Sequence, residues 1–180
     1  MSLYGSNAEY ALHCLLFLTP LPEGQALSTR DLAECQGISP SLVAKLFTSL
    51  QRAGIVRAQE GSRGGFSLAR GAGTITMLEV VDAVEGRKKL FDCKEIRANC
   101  VLFGGCPPDW ATSGLCDINA AMLSAERAMR AELAKRTLAD LARRVAGKMP
   151  SGFAEESARW LGKRAARRTR HDMRFDGAGR

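Results

Sequence analysis

Apolar residues recur at three- and four-residue steps near the start of the chain, at Ala8, Ala11, Leu12, Leu15 and Leu18. That spacing predicts an amphipathic helix over residues 6–19, ended by Pro20, Pro22 and Gly24. Ser28-Thr29-Arg30-Asp31 has the form of a capping box, so a short helix follows to about Cys35, and Gly37 suits a left-handed turn after it. Ser39-Pro40 then opens a helix whose buried face is Leu42, Val43, Leu46, Phe47 and Leu50, with Gly54 as its stop. Ile55 to Gln59 and Phe66 to Leu68 alternate like two short strands around a glycine-rich tip, Glu60-Gly61-Ser62-Arg63-Gly64-Gly65. Thr76-Met77-Leu78-Glu79 is a second capping box, predicting a helix over 77–84 that buries Leu78, Val81 and Val84 and closes at Gly86. Ile118, Met122, Ala125, Met129 and Leu133 step along a helix of about 19 residues, roughly 28 Å long. One more short helix begins at Thr137 to Asp140 and ends near Gly147.

This order predicts a mostly α chain with a small β-wing: a winged helix-turn-helix followed by a long dimerisation helix. Four segments result: a DNA-binding domain over 1–85, a cysteine-bearing loop over 86–117, the long helix and a short capping helix over 118–146, and a basic tail over 147–180. In helix-turn-helix units the second helix enters the major groove. Ser28, Ser39, Ser41, Ala44, Lys45, Thr48 and Arg52 are left on the outward side of the pair. At the wing, Ser62, Arg63, Gly64 and Gly65 would approach the backbone or the minor groove, where Arg63 is electrostatically favoured. The stripe of the long helix suits packing against a second copy, and an intrachain core fits its pattern nearly as well.

Charge alters the picture only at the end of the chain. The 180 residues carry a net charge of +7. Of this, +6 lies in residues 159–180, where Arg159, Lys163, Arg164, Arg167, Arg168, Arg170, Arg174 and Arg180 outnumber Asp172 and Asp176. The rest is nearly neutral, so a DNA-binding reading stands on the local motif and not on global basicity. Phe153, Ala154, Trp160 and Leu161 could line one apolar edge before the arginines, which read equally as a phosphate-attracting arm or a solvated charge run. The apolar run at Leu12 to Leu18 is too short for a bilayer and has no basic leader, which predicts a cytoplasmic protein without membrane association.

Four of the six cysteines, Cys93, Cys100, Cys106 and Cys116, fall in the glycine- and proline-rich loop. In a reducing compartment such clustering points to a metal centre ahead of a redox-active disulfide. Cys14 and Cys35 read as structural. Glu9 and His13, four apart on the first helix, project from the same side as a hydrogen-bonded pair or a pair of ligands. There is no nucleotide-binding glycine fingerprint and no arrangement for nucleophilic catalysis, so neither an enzyme nor a small-molecule substrate is expected.

The run Ala8 to Cys14, then Gln36-Gly37-Ile38-Ser39-Pro40-Ser41, Arg63-Gly64-Gly65-Phe66, Glu79 to Val84, the cysteine loop and Thr137 to Leu141 together resemble the bacterial iron–sulfur winged-helix regulators that include IscR, NsrR, RirA and RsrR. The likeness spans about residues 1–146 and is nearest to RsrR, the redox-sensing member, because Glu9 and His13 fall on the opening helix where that protein supplies ligands. The resemblance implies a homodimer on a double-stranded DNA operator, probed through a shared [2Fe-2S] cluster. Its ligands would be Cys106 and Cys116 of one chain with Glu9 and His13 of the other. The cysteine spacing is wider here than in IscR-like or NsrR-like members, which leaves an all-thiolate set drawing on Cys93 and Cys100 as the rival. A thiol-switch or zinc-containing regulator without iron, and an iron–sulfur electron carrier, are the alternative functions.

Overall fold

The computed structural model describes residues 2–23, 25–60 and 64–176, with side chains described through Arg164. Its helices are α1 (Ser6–Leu16), α2 (Thr29–Gln36), α3 (Pro40–Arg52), α4 (Met77–Glu85), α5 (Asp109–Thr112), α6 (Asp117–Lys135), α7 (Leu138–Ala146) and α8 (Phe153–Asp176), and the strands are β1 (Val56–Gln59) and β2 (Gly65–Leu68). α1 stops three residues earlier than its apolar spacing predicts. The Thr19 hydroxyl donates to the Leu16 carbonyl at 2.7 Å and satisfies an acceptor that another helical turn would have used.

One core joins all the layers. Ala11, Cys14 and Leu15 of α1, Leu32 and Ala33 of α2, Val43, Phe47 and Leu50 of α3, and Val80 of α4 are buried together with Ile55, Val56 and Ile75. α4 is rotated relative to the pattern: Val80 and Val81 are buried, whereas Leu78 and Val84 are only half-buried. It packs against α1, α3 and α6, so no single stripe describes its contacts.

Local chemistry sets the ends of these helices. Ser28 Oγ accepts the Asp31 N–H at 3.1 Å, and Gly37 closes α2 in the left-handed region at φ 65°. Thr76 with Glu79 and Thr137 with Asp140 form complete capping boxes. The two boxes lie side by side: Met77 N–H donates to the Arg136 carbonyl and Leu138 N–H to the Ile75 carbonyl, each at 2.8 Å. α1 has no side-chain cap of its own. Glu85, at the end of α4, lies against Gly5 at the N-terminus of α1, and its Oε2 accepts from Lys88 Nζ at 2.5 Å.

β1 and β2 pair antiparallel, Val56 opposite Leu68 and Gln59 opposite Gly65. Leu27, just before α2, extends this sheet through reciprocal hydrogen bonds with Phe66 at 3.0 and 2.8 Å. A Cβ on Gly65 would stand 2.4 Å from the Leu27 carbonyl oxygen, so only glycine fits there. The Phe66 ring meets Phe47 edge-on at 5.1 Å and fixes the wing to α3.

The basic tail is not a separate appendage. It forms α8, and Leu161 is buried in the common core with Trp160 packed beside it. Arg164 lies over the Trp160 ring at 4.8 Å and pairs with Glu34 of α2. Residues 177–180 lie outside the described residues.

Two outcomes follow. Leu161→Ala is expected to lower unfolding free energy by about 2–5 kcal/mol in urea titrations, against the near-zero change of a peripheral residue. Glu85 is held below its ordinary carboxyl value of 4.5, first by the Lys88 hydrogen bond and then by the backbone amides of α1. Its stabilisation is therefore present above pH 4.5 and lost as pH falls through the lowered value. Urea midpoints measured between pH 7 and about 3 should fall less steeply in Glu85→Gln than in the parent chain.

Candidate nucleic-acid interface and donor sites

α3 separates its two faces cleanly. Val43, Leu46, Phe47 and Leu50 are buried, while Ser41, Ala44, Lys45, Thr48 and Arg52 are exposed. Ser39 and Ser41 at its N-terminus are exposed, with their hydroxyl oxygens 2.8 Å apart. Thr48 donates to the Ala44 carbonyl at 2.9 Å, which fixes its hydroxyl along the helix. Ser28 is half-buried and engaged as the α2 cap. Ser62 and Arg63 lie outside the described residues; Gly64 and Gly65 are half-buried at the wing base. Gly65 allows the close approach to Leu27, a structural requirement that glycine content alone does not distinguish from contact with phosphate.

Arg57 is a basic group that the helix-turn-helix pattern did not bring forward. It is exposed on β1, and its Nε donates to Ser67 Oγ at 3.2 Å, with Gln59 Nε2 on the same oxygen at 3.2 Å. Its place directly after Val56, in a strand whose side chains alternate between faces, was the available signal.

The candidate metal donors are distributed over two regions. Glu9 and His13 are exposed on α1, opposite the face that buries Ala8, Ala11, Cys14 and Leu15. Cys100 and Cys106 are exposed in the loop, and Cys93 and Cys116 are half-buried there, with Cys116 at the N-cap of α6. No three His, Cys, Asp or Glu side chains among the described residues of one chain gather closely enough to hold a metal ion. The chain thus offers two open donor groups, one on α1 and one in the loop.

Arg97 organises the loop. Its guanidinium donates to the carbonyls of Thr112 and Ser113 at 3.4 Å and of Gly114 at 3.0 Å, and it pairs with Glu95. The Glu95 carboxylate beside it chiefly raises its pKa. A single arginine within a cysteine-rich loop carries no spacing signal that would have singled it out. Cys14, by contrast, is fully buried, and burial, followed by Cys35, pushes its thiol up to about 12. That environment suits core packing and disfavours thiolate ligation. Cys35 is exposed at the end of α2.

Apolar side chains near these donors remain open. Val101 and Leu102 are 90% and 88% exposed, Trp110 is 77% exposed, and Ile118 on α6 is 64% exposed. No residue of α6 is buried, so the long helix is not an intrachain core helix. It is held to α4 by a bidentate pair, Arg130 to Asp82 at 3.0 and 2.7 Å, and Leu90 N–H donates to Glu126 at 3.0 Å. Among the described residues no helix is long and apolar enough to cross a membrane.

Comparison with known proteins agrees with this arrangement. The family described as Rrf2, iron-dependent transcriptional regulator, matches residues 4–144. Rv1287 of Mycobacterium tuberculosis, described as an HTH-type transcriptional regulator, is 31% identical over 166 residues, covering 92% of this chain and 93% of that protein. Among solved structures, CymR, the global cysteine regulator of B. subtilis, is similar with a TM-score of 0.63 at 19% identity, covering 80% of this chain and 98% of that one. IscR of T. potens is similar with a TM-score of 0.60 at 21% identity, covering 83% and 93%. The likeness to RsrR in particular is not part of these findings, but the wider grouping is: this chain belongs to the Rrf2 family and is a DNA-binding, winged-helix transcriptional regulator.

Proposed function

We propose that the protein acts as a homodimer whose operator affinity is set by a [2Fe-2S] cluster shared between subunits. Cys106 and Cys116 of one chain would hold it with Glu9 and His13 of the other. The observation that carries this reading is the pairing of incomplete donor groups with uncovered apolar surface. Glu9 and His13 are open on α1, the thiols are open in the loop, and Val101, Leu102, Trp110 and Ile118 lie exposed in the same part of the sequence. Apolar exposure of this kind is characteristic of an interaction surface, and a twofold dimer would bring each group of donors to its complement. Residues 1–85 would then form the DNA-binding unit, 86–117 the cluster loop and 118–146 the dimerisation segment.

The donor chemistry fits such a cluster. When bound, it supplies a redox centre whose potential is raised by imidazole in place of thiolate. The rest follows from the chain itself. Glu9 and His13 stand on the same helix as Ala11, Cys14 and Leu15, which share a core with Phe47 and Leu50 of α3. Any force on the donor face of α1 is therefore felt by the recognition helix through packed side chains. Coupling of about 1–3 kcal/mol would change operator occupancy about five- to 150-fold.

A second reading, thiol switching or zinc binding without iron, is favoured by one observation: Cys93, Cys100, Cys106 and Cys116 are all free thiols on a segment that Arg97 holds through three backbone carbonyls. Metal content separates the two.

Anaerobically purified protein should be coloured and contain iron and sulfide in equal amounts, about two of each per chain. Cys106→Ala and Cys116→Ala should lose the iron, and His13→Ala should alter the visible spectrum and the redox midpoint. A colourless protein with one zinc per chain would establish the second reading instead, and a His13→Ala spectrum and midpoint identical to the parent would exclude the mixed ligand set.

A further inference from the structure

The DNA-reading unit supplies almost none of the charge that duplex binding calls for. Outside residues 159–180 the chain is nearly neutral, and on α3 the exposed cations are Lys45 and Arg52. Affinity for duplex DNA draws heavily on phosphate neutralisation and release of counterions. Basic side chains are denser in α8, where seven Arg and Lys residues stand against four carboxylates.

α8 is also fixed to that unit. Ala154, Ser157, Ala158, Leu161 and Gly162 line a cavity of about 680 Å³ whose opposite wall includes Leu27 before α2 and Gln59 at the wing base. Leu161 enters the core, and three residues later Arg164 meets Glu34 in the last turn of α2. That ion pair neutralises an exposed carboxylate at the end of α2 that leads, through the Gly37 turn, into the N-terminus of α3. The helix then continues from Ala165 to Asp176, about 18 Å of further rise. This stretch contains Arg167, Arg168, Arg170 and Arg174 against Asp172 and Asp176.

We propose that α8 is a docked DNA-backbone arm: Leu161, Trp160 and Arg164 anchor its first half on the helix-turn-helix unit, and its arginine-rich second half engages phosphates flanking each operator half-site. This inference rests on the DNA-binding regulator reading and is independent of whether the protein holds a cluster. The partner is committed to duplex phosphate by charge complementarity and by attachment beside the helix that reads DNA. Such contacts add affinity and fix position without adding base preference.

The test compares the full chain, a chain ending at Ala165, and a full-length variant with Arg167→Gln, Arg168→Gln, Arg170→Gln and Arg174→Gln. The truncated chain keeps all three anchor residues, and glutamine preserves helix propensity in the second variant. Operator and unrelated duplexes are titrated from 50 to about 200 mM salt. Loss of four phosphate contacts should reduce the slope of log affinity against log salt by about three to four per chain, equally on both duplexes. Hydroxyl-radical protection outside each half-site should disappear in both variants. Equal slopes for all three proteins, with operator binding intact, would overturn the arm, as would a loss confined to the operator. Failure of the full chain to bind any duplex would instead overturn the regulator reading beneath it.

Discussion

The packing of α1 against α3 is the contact on which the structure depends. Ala11, Cys14 and Leu15 fill one side of a core whose other side is Phe47 and Leu50, and the opposite face of the same short helix displays Glu9 and His13. A buried side chain cannot shift without moving its neighbours, because protein interiors are close-packed. α1 is thus a mechanical link between a surface suited to ligand chemistry and a surface suited to reading DNA. Glu85 secures its N-terminus, Leu138 of α7 and Leu161 of α8 close the same core, and Phe66 ties in the wing.

Polar and apolar surfaces are divided accordingly. The side facing inward holds the buried apolar side chains, the two capping boxes and a glycine where Leu27 leaves no room for a side chain. The cysteine loop and α6 are incomplete, since they show large apolar side chains to solvent and hold their place through Arg97, Arg130 and backbone hydrogen bonds. That distribution supports the proposed dimer. The similarity in fold to both IscR and the cysteine regulator CymR leaves function to be decided by the chemistry of this chain's own loop.

Most of the fold was legible from local signals. The capping boxes at Thr76 and Thr137, the left-handed Gly37 and the 19-residue span of α6 all lie where residue type and spacing place them. What was less legible came from contacts between distant segments. The rotation of α4 results from packing on three neighbours, and the fixed position of α8 depends on Leu161 reaching a core made mostly of residues more than eighty positions earlier. Arg97 and Glu85 act on backbone groups, which have no sequence signature of their own. For the donor residues, the sequence identifies the types and α1 shows the shared face of Glu9 and His13, but a set completed by another chain is written in neither.

The central claim is that the donor face of α1 and the reading face of α3 are energetically coupled. Its most direct measurement is operator affinity, under anaerobic conditions at one fixed salt concentration, for the same protein with and without the proposed cluster. The coupling predicts at least about a five-fold difference between the two forms; equal affinities would contradict it.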